Sequence, residues 1–376
     1  MKELLKHKGT LSRNYIKKIK IKLDKLYGED YNIFFPIFNC HDTVSNFFDL
    51  DKSIFYNIDS NFFTIDKEDL FKKINISKSN NKIIYIVHYF GLGVDKNFDE
   101  ILELAKNNNY ILIEDCGITF GIKYKNKYLG TFGDIGFYSF RKYLFTKAGS
   151  SCIVNNEIFG EILSINEENI YNLNYKKVID YALNQEINIL EKNETLDIIN
   201  NKLLNKKSEI LNFNKSISKL LGDELPQRLS KYYDNFDWND LKKDFNYKYD
   251  LLYLGLKDNK KFLLKKIDYN SSFPLVFPIK LNLNYNTGFE LCGVLRKKLE
   301  KKGIFTRGFW SVPENIKNKF LNGNIVLEKN LNLLTQNYIF ITLSKDFDIS
   351  YYKNVIKIIN NIKIKNEKNF YTFCFK

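Results

Sequence analysis

The sequence predicts an α/β protein built on a mostly parallel β-sheet, followed by a smaller α+β domain. Three observations carry this. Lys82-Ile-Ile-Tyr-Ile-Val-His88 is a continuous apolar run, the kind of strand that a parallel sheet buries on both faces. Phe98–Asn107 follows with apolar residues at 98, 101, 102, 104 and 105, the spacing of one helix face, and Tyr110–Ile113 is a further apolar strand, so the three complete a β-α-β unit. From Leu275 onward shorter strands and helices take over, as expected of a second domain closing on the first.

The elements follow in order. Residues 12–27 carry apolar side chains at 16, 19, 21, 23 and 26 and read as an amphipathic helix capped by Thr10 or Ser12. Asn32–Pro36 and Ser53–Asp59 are short strands, and Asp66–Ile74 is a short helix. Ile135–Ser139 and Cys152–Val154 add two more strands. Residues 160–255 are polar and rich in Asn and Lys, which suggests helices joined by long loops. Beyond them the sequence predicts strands at 275–281, 304–306 and 338–343 and helices at 288–302 and 349–362. The expected division is a large domain over residues 1–235, with a short N-terminal segment, and a small C-terminal domain over 236–376.

Composition narrows the function classes. A 376-residue chain that is 44% hydrophobic can bury a large core. The net charge of +14 suggests nucleic acid, but only five basic residues are arginine (Arg13, Arg141, Arg228, Arg296, Arg307). Specific phosphate and base recognition leans on arginine and on clustered charge. A general bias toward Lys, Asn and Ile gives the same total, so no nucleic-acid partner is expected. The five cysteines are widely spaced and contain no CxxC pair, so neither a zinc ribbon nor a disulfide framework is expected, and no metal. No run approaches the roughly 18 apolar residues of a membrane span, and a cytoplasmic location is expected.

Two strand ends carry the chemistry. Ile111-Leu-Ile-Glu-Asp115 is an apolar strand ending in a carboxylate. Ile135-Gly-Phe-Tyr-Ser139 is another, ending in a hydroxyl with Lys142 three residues on. Ligands of open α/β sheets bind at the carboxyl ends of the strands. A carboxylate to keep a pyridine nitrogen protonated, a lysine amine for a Schiff base and a hydroxyl for a phosphate are the groups pyridoxal phosphate needs. Asp115 alone also reads as a turn-capping aspartate, and Lys142 has a rival in Lys147 of the same loop. Small residues at Ala148-Gly149-Ser150-Ser151 would let the backbone approach a cofactor, and partial burial beside Arg141 would lower the Lys142 pKa. His88, His41 and Arg307 are further candidates. Arg307 could meet a carboxylate or phosphate, or pack on Trp310.

Together these stretches resemble the DegT-type family of sugar aminotransferases. The matching segments are Phe35–His41, Phe55–Asp59, Val87–Gly91, Ile113–Cys116, Tyr128–Asp134 and Phe137–Lys142, with a weaker echo at Asn246-Tyr247, Pro274–Pro278 and Ile341–Leu343. The resemblance implies the fold type I architecture of pyridoxal phosphate enzymes: a large domain with a mostly parallel seven-stranded sheet, a small C-terminal domain and a homodimer. It implies that Asp115 pairs with the pyridine nitrogen, that Lys142 holds the cofactor and shuttles a proton, and that Ser139 binds its phosphate. The family lysine commonly lies five residues after the serine. Counting forward to Gly149-Ser150 places it at Lys142 rather than Lys147, with a two-residue deletion before it. The family's glycine-threonine phosphate loop is not recognised, and Ser12-Arg13 stands at the helix start instead. Cys40 replaces the aromatic that stacks on the cofactor, Ile118 replaces a glutamine, and Gly149-Ser150 replaces a double glycine.

The expected activity is transfer of an amino group, with glutamate the expected donor, to the keto group of a nucleotide-activated sugar or similar phosphorylated carbonyl compound. Surface-polysaccharide or secondary-metabolite synthesis is the expected setting. Two alternatives stay open: a dehydratase of the same fold, in which a histidine replaces the lysine, and a non-catalytic regulatory relative.

Overall fold

A computed structural model describes residues 1–40, 43, 48–146, 148–163, 225, 227–282, 291–307, 310, 325–367 and 370–375. The seven strands of the main sheet are β1 (Lys8–Gly9), β2 (Asn32–Pro36), β3 (Ser53–Tyr56), β4 (Lys82–Val87), β5 (Ile111–Cys116), β6 (Ile135–Tyr138) and β7 (Ser150–Val154). Their spatial order is β1-β7-β6-β5-β4-β2-β3. The five strands from β6 to β3 run parallel, whereas β7 pairs antiparallel to β6 and β1 pairs antiparallel to β7 at the other edge. The sheet is thus mostly parallel and seven-stranded, as expected. Every residue of β5 and β6 is buried, which explains their unbroken apolar runs.

Helices α1 (Ser12–Tyr27), α2 (Lys67–Ile76) and α3 (Phe98–Asn107) belong to this part of the chain. Asp66 caps α2 by accepting the Asp69 N–H at 3.0 Å. The cap expected at α1 differs. Leu11 occupies the N-cap position without a side-chain bond, and Thr10 Oγ1 instead accepts from Asn14 Nδ2 at 3.2 Å. The buried face of α1 is Tyr15, Ile16, Ile19 and Leu23, while Ile21 is 56% exposed because it falls off that arc.

A one-turn helix α4 (Arg141–Leu144) links β6 to β7. Of residues 160–255, the described ones include the end of a 3-10 helix over Glu157–Leu163 and the expected helices, α5 (Gln227–Asn235) and α6 (Trp238–Leu256), while 164–224 and 226 lie outside the described residues. In α6 the buried residues Trp238, Leu241, Phe245, Tyr249, Leu252 and Leu256 recur at helical spacing among Asn, Asp and Lys, which masks the pattern in the composition.

A second, antiparallel sheet comprises β8 (Phe262–Leu264), β9 (Val276–Leu281), β10 (Thr306–Arg307) and β11 (Tyr338–Thr342) in the order β8-β9-β11-β10. Helices α7 (Leu291–Lys301), α8 (Ile325–Gln336) and α9 (Ile349–Asn360) accompany it, and β12 (Ile362–Glu367) pairs with β13 (Phe370–Phe375). Helix α8 and this last hairpin were not expected from the sequence. The chain joins the two sheets directly. Phe273 N donates to Gly91 O at 2.9 Å and Leu275 N to Phe90 O at 2.8 Å. Gly91 has a φ of +70°, and a Cβ there would lie 1.8 Å from Phe273 O, so only glycine allows this junction. Among the described residues no helix is long and apolar enough to cross a membrane.

Candidate active site

Strand parity sorts the candidates. Strand β5 runs through Cys116, two residues past Glu114, so Glu114 and Asp115 lie inside the sheet and face opposite sides. Asp115 is in register with Val87 of β4 and Phe137 of β6. It therefore shares a face with Tyr85, whose hydroxyl donates to Asp115 Oδ2 at 2.7 Å. The Gly117 N–H donates to Oδ1 at 2.6 Å. Burial raises the Asp115 pKa, and the Tyr85 bond, the Gly117 N–H, Lys142 and His88 offset this in part. Both oxygens are engaged, and the carboxylate is thereby oriented.

Lys142 comes to the same space from α4. Its backbone N–H closes a turn onto Ser139 O at 3.1 Å, and the buried Tyr143 anchors the helix by donating its hydroxyl to Phe273 O at 3.0 Å. Lys142 is half-buried. Its pKa is lowered to about 8, first by desolvation and then by Arg141, against the attraction of Asp115. A Cβ added to Gly117 would sit 2.8 Å from Asp115 Oδ1 and 3.7 Å from Lys142 Nζ. The acid and the amine therefore flank one small cradle that a side chain at 117 would fill. Cys40 is half-buried and follows β2, and it is among the groups acting on the charge of Lys142.

Ser139 lies just past the last β6–β7 pair, Tyr138 with Ser151, so its register neighbour is Ser150, which pairs with Gly9 of β1. The Ser139 and Ser150 hydroxyls are both buried and have no hydrogen-bond partner among the described residues. Gly149 ties this row together. Its N–H donates to Thr10 O at 2.8 Å, and its carbonyl accepts from Arg141 N at 3.1 Å. The start of α1 is thereby held beside α4. The first N–H groups of a helix have no intrahelical partner and attract anions. Ser12 is the first residue of that helix. Gly9-Thr10 directly precede it and were passed over in the sequence. They are a glycine-threonine pair directly before a helix start, and that position was the available signal.

His88 is not brought to this cradle. It follows β4 with the opposite parity, and His88 Nε2 bonds Glu114 Oε2 at 2.8 Å on the far face of the sheet, with Phe98 packed edge-on to the ring. Glu114 also accepts from the N–H groups of Gly130, Phe132 and Gly133 at 2.6–2.7 Å. The segment Tyr128–Asp134 is held in place this way, with Asp134 Oδ2 accepting from Leu112 N at 2.8 Å. Arg307, in β10, lies over the Phe145 ring at 4.6 Å and acts on the charge of Lys142. His41 and Lys147 lie outside the described residues.

Buried carboxylate, deep amine of lowered pKa, unpartnered hydroxyls and a helix start are the donor set for a phosphorylated pyridine aldehyde, and the residues fit that group. The comparisons bear on the same stretch. Residues 50–165 match the DegT/DnrJ/EryC1/StrS aminotransferase family. GDP-perosamine synthase of Escherichia coli O157:H7 is 39% identical over 106 residues, which is 28% of each chain. The chain thus aligns with less than a third of the length of such curated relatives. Solved structures match more widely. The aminotransferase TlmJ from Streptoalloteichus hindustanus has a TM-score of 0.63 at 11% identity, covering 93% of this chain and 83% of that one. The Escherichia coli GDP-4-keto-6-deoxy-D-mannose-3-dehydratase with bound hydrated PLP has a TM-score of 0.59 at 18% identity, covering 93% and 86%. At these identities the likeness is one of fold.

Proposed function

We propose that the protein is a pyridoxal phosphate-dependent aminotransferase. It moves an amino group from a donor, glutamate being the expected one, to the keto group of a nucleotide-activated sugar or similar phosphorylated carbonyl compound, in surface-polysaccharide or secondary-metabolite synthesis. The observation that carries this reading is the Lys142 amine, lowered to about 8 and set across one cradle from Asp115. The family domain at 50–165 contains both residues.

The cofactor, when bound, supplies an aldehyde and an electron-withdrawing ring. Asp115, oriented by Tyr85 and Gly117, holds a proton on the ring nitrogen as its ion-pair partner. Lys142 Nζ is the attachment point and then the base. With a pKa near 8, about a tenth of it is neutral at pH 7, against well under a thousandth for an ordinary lysine. Once released it can take a proton from the substrate carbon and return it elsewhere. Ser139, Ser12 and the Gly9-Thr10 turn would hold the phosphate, with Cys40 at the end of β2 the candidate to border the ring. Residues 1–235 and 236–376 are the two domains, a division supported by one sheet within 8–154 and another within 262–342. Two copies form the working enzyme, in the cytoplasm.

Lys142 favours amination over the dehydratase reading, since that lineage carries a histidine in place of the lysine. The test is direct. Purified protein given pyridoxal phosphate should develop a visible absorbance band, Lys142→Ala should lose it, and glutamate should convert the wild-type band. A protein that binds no cofactor overturns the proposal, and one that binds it without responding to any amino donor leaves the regulatory reading.

A further inference from the structure

The lysine turn does not hold its own place. Helix α4 is four residues long, and Phe145 ends it in a left-handed conformation with a φ of +57°. A single helical turn is not stable alone, so its position comes from what it packs on. Tyr143, directly after Lys142, supplies that packing. It is 1% exposed, with its ring centre 4.6 Å from that of Phe273, 6.2 Å from Phe245 and 6.3 Å from Phe120.

Four segments meet at the Tyr143 hydroxyl. It donates to Phe273 O at 3.0 Å, in the segment that enters β9. The Phe120 N–H acts on the same oxygen from the loop that continues Asp115. A Cβ added to Gly91, in the loop after β4, would lie 3.1 Å from it. Those two loops are stitched to each other, because Thr119 Oγ1 donates to His88 O at 2.6 Å and accepts from Gly91 N at 3.1 Å. One buried oxygen therefore joins the loops after β4, β5 and β6 to the entry of the second sheet.

Lys142 and Asp115 leave different strands, so these loops set their separation. Ring contacts are weakly directional, whereas a hydrogen bond fixes both distance and angle. A reacting group displaced by about 1 Å loses about a hundredfold in rate. We propose that Tyr143 is a positioning residue of this site, whose hydroxyl sets the Lys142 amine across from Asp115. This rests on the aminotransferase reading above.

Tyr143→Phe tests it by keeping the ring and removing the hydroxyl, with Tyr138→Phe as the control. Tyr138 is equally buried and donates to Leu129 O at 2.7 Å, but it is in register with Cys116, so it faces away from Asp115. Cofactor-free proteins are acetylated with acetic anhydride from about pH 6 to 11, and the Lys142 peptide is followed by mass spectrometry. Freed of its tie, the turn admits water to the amine. The midpoint of Lys142 labelling in Tyr143→Phe should then rise by about one pH unit, and the visible band with pyridoxal phosphate should form about tenfold more slowly at neutral pH. Tyr138→Phe should lose thermal stability without moving the midpoint. An unchanged midpoint in Tyr143→Phe overturns the proposal and leaves a tyrosine that only stabilises the junction. An equal rise in Tyr138→Phe also overturns it. If Tyr143→Phe does not fold, amide exchange of wild type decides. The peptides carrying Phe120, Tyr143 and Phe273 should open together, and separate opening overturns the proposal. Failure of wild type to take the cofactor sinks the aminotransferase reading, while labelling without cofactor still reports on Tyr143.

Discussion

The Tyr85 hydroxyl donates to Asp115 Oδ2 at 2.7 Å across adjacent parallel strands, and this bond is fully buried. With the Gly117 N–H on Oδ1, it commits both carboxylate oxygens and fixes where the acid points. Tyr85→Phe removes a donor to a buried charged group, which is worth about 1.5–3 kcal/mol. Cofactor affinity should fall by about tenfold or more, while the visible band of the bound form persists. Titration with pyridoxal phosphate reads both.

Glu114 is the neighbouring acid with the opposite task. It gathers three backbone N–H groups and His88 on the far face of the sheet. Glu114→Gln puts an amide donor where N–H groups already point. The variant should lose about 2–4 kcal/mol of stability in denaturant unfolding. Cofactor affinity in the folded fraction should stay near wild type, the reverse of the Tyr85 result.

The low Lys142 pKa makes stability pH-dependent. Its folded value of about 8 lies below the ordinary lysine value of 10.5, so below pH 8 the cofactor-free protein carries the full cost of a buried ammonium. That cost fades as pH rises from about 8 toward 10.5. Cofactor-free Lys142→Met should therefore be more stable than wild type at pH 7, by about 1–3 kcal/mol once the partial exposure of the residue is allowed for. The gap should close toward pH 10, as thermal melts across that range would show.

The central sheet and the Asp115–Lys142 pair were legible because β4, β5 and β6 are buried on both faces, so their runs and ends stand out. His88 was misplaced for want of parity. With Val87 opposite Asp115, the next residue on β4 must face the other way. Gly9-Thr10 escaped notice because β1 is two residues long and gains meaning only by pairing with Ser150 and Ser151. The buried faces of α5 and α6 were hidden because tyrosine and tryptophan supply much of their apolar surface amid Asn and Lys.

The most direct test of the account fixes the cofactor to its lysine. The loaded protein is reduced with borohydride, digested, and the pyridoxyl-bearing peptide sequenced by mass spectrometry. The account predicts the label on Lys142. A label on Lys147, on another lysine, or on none would contradict it.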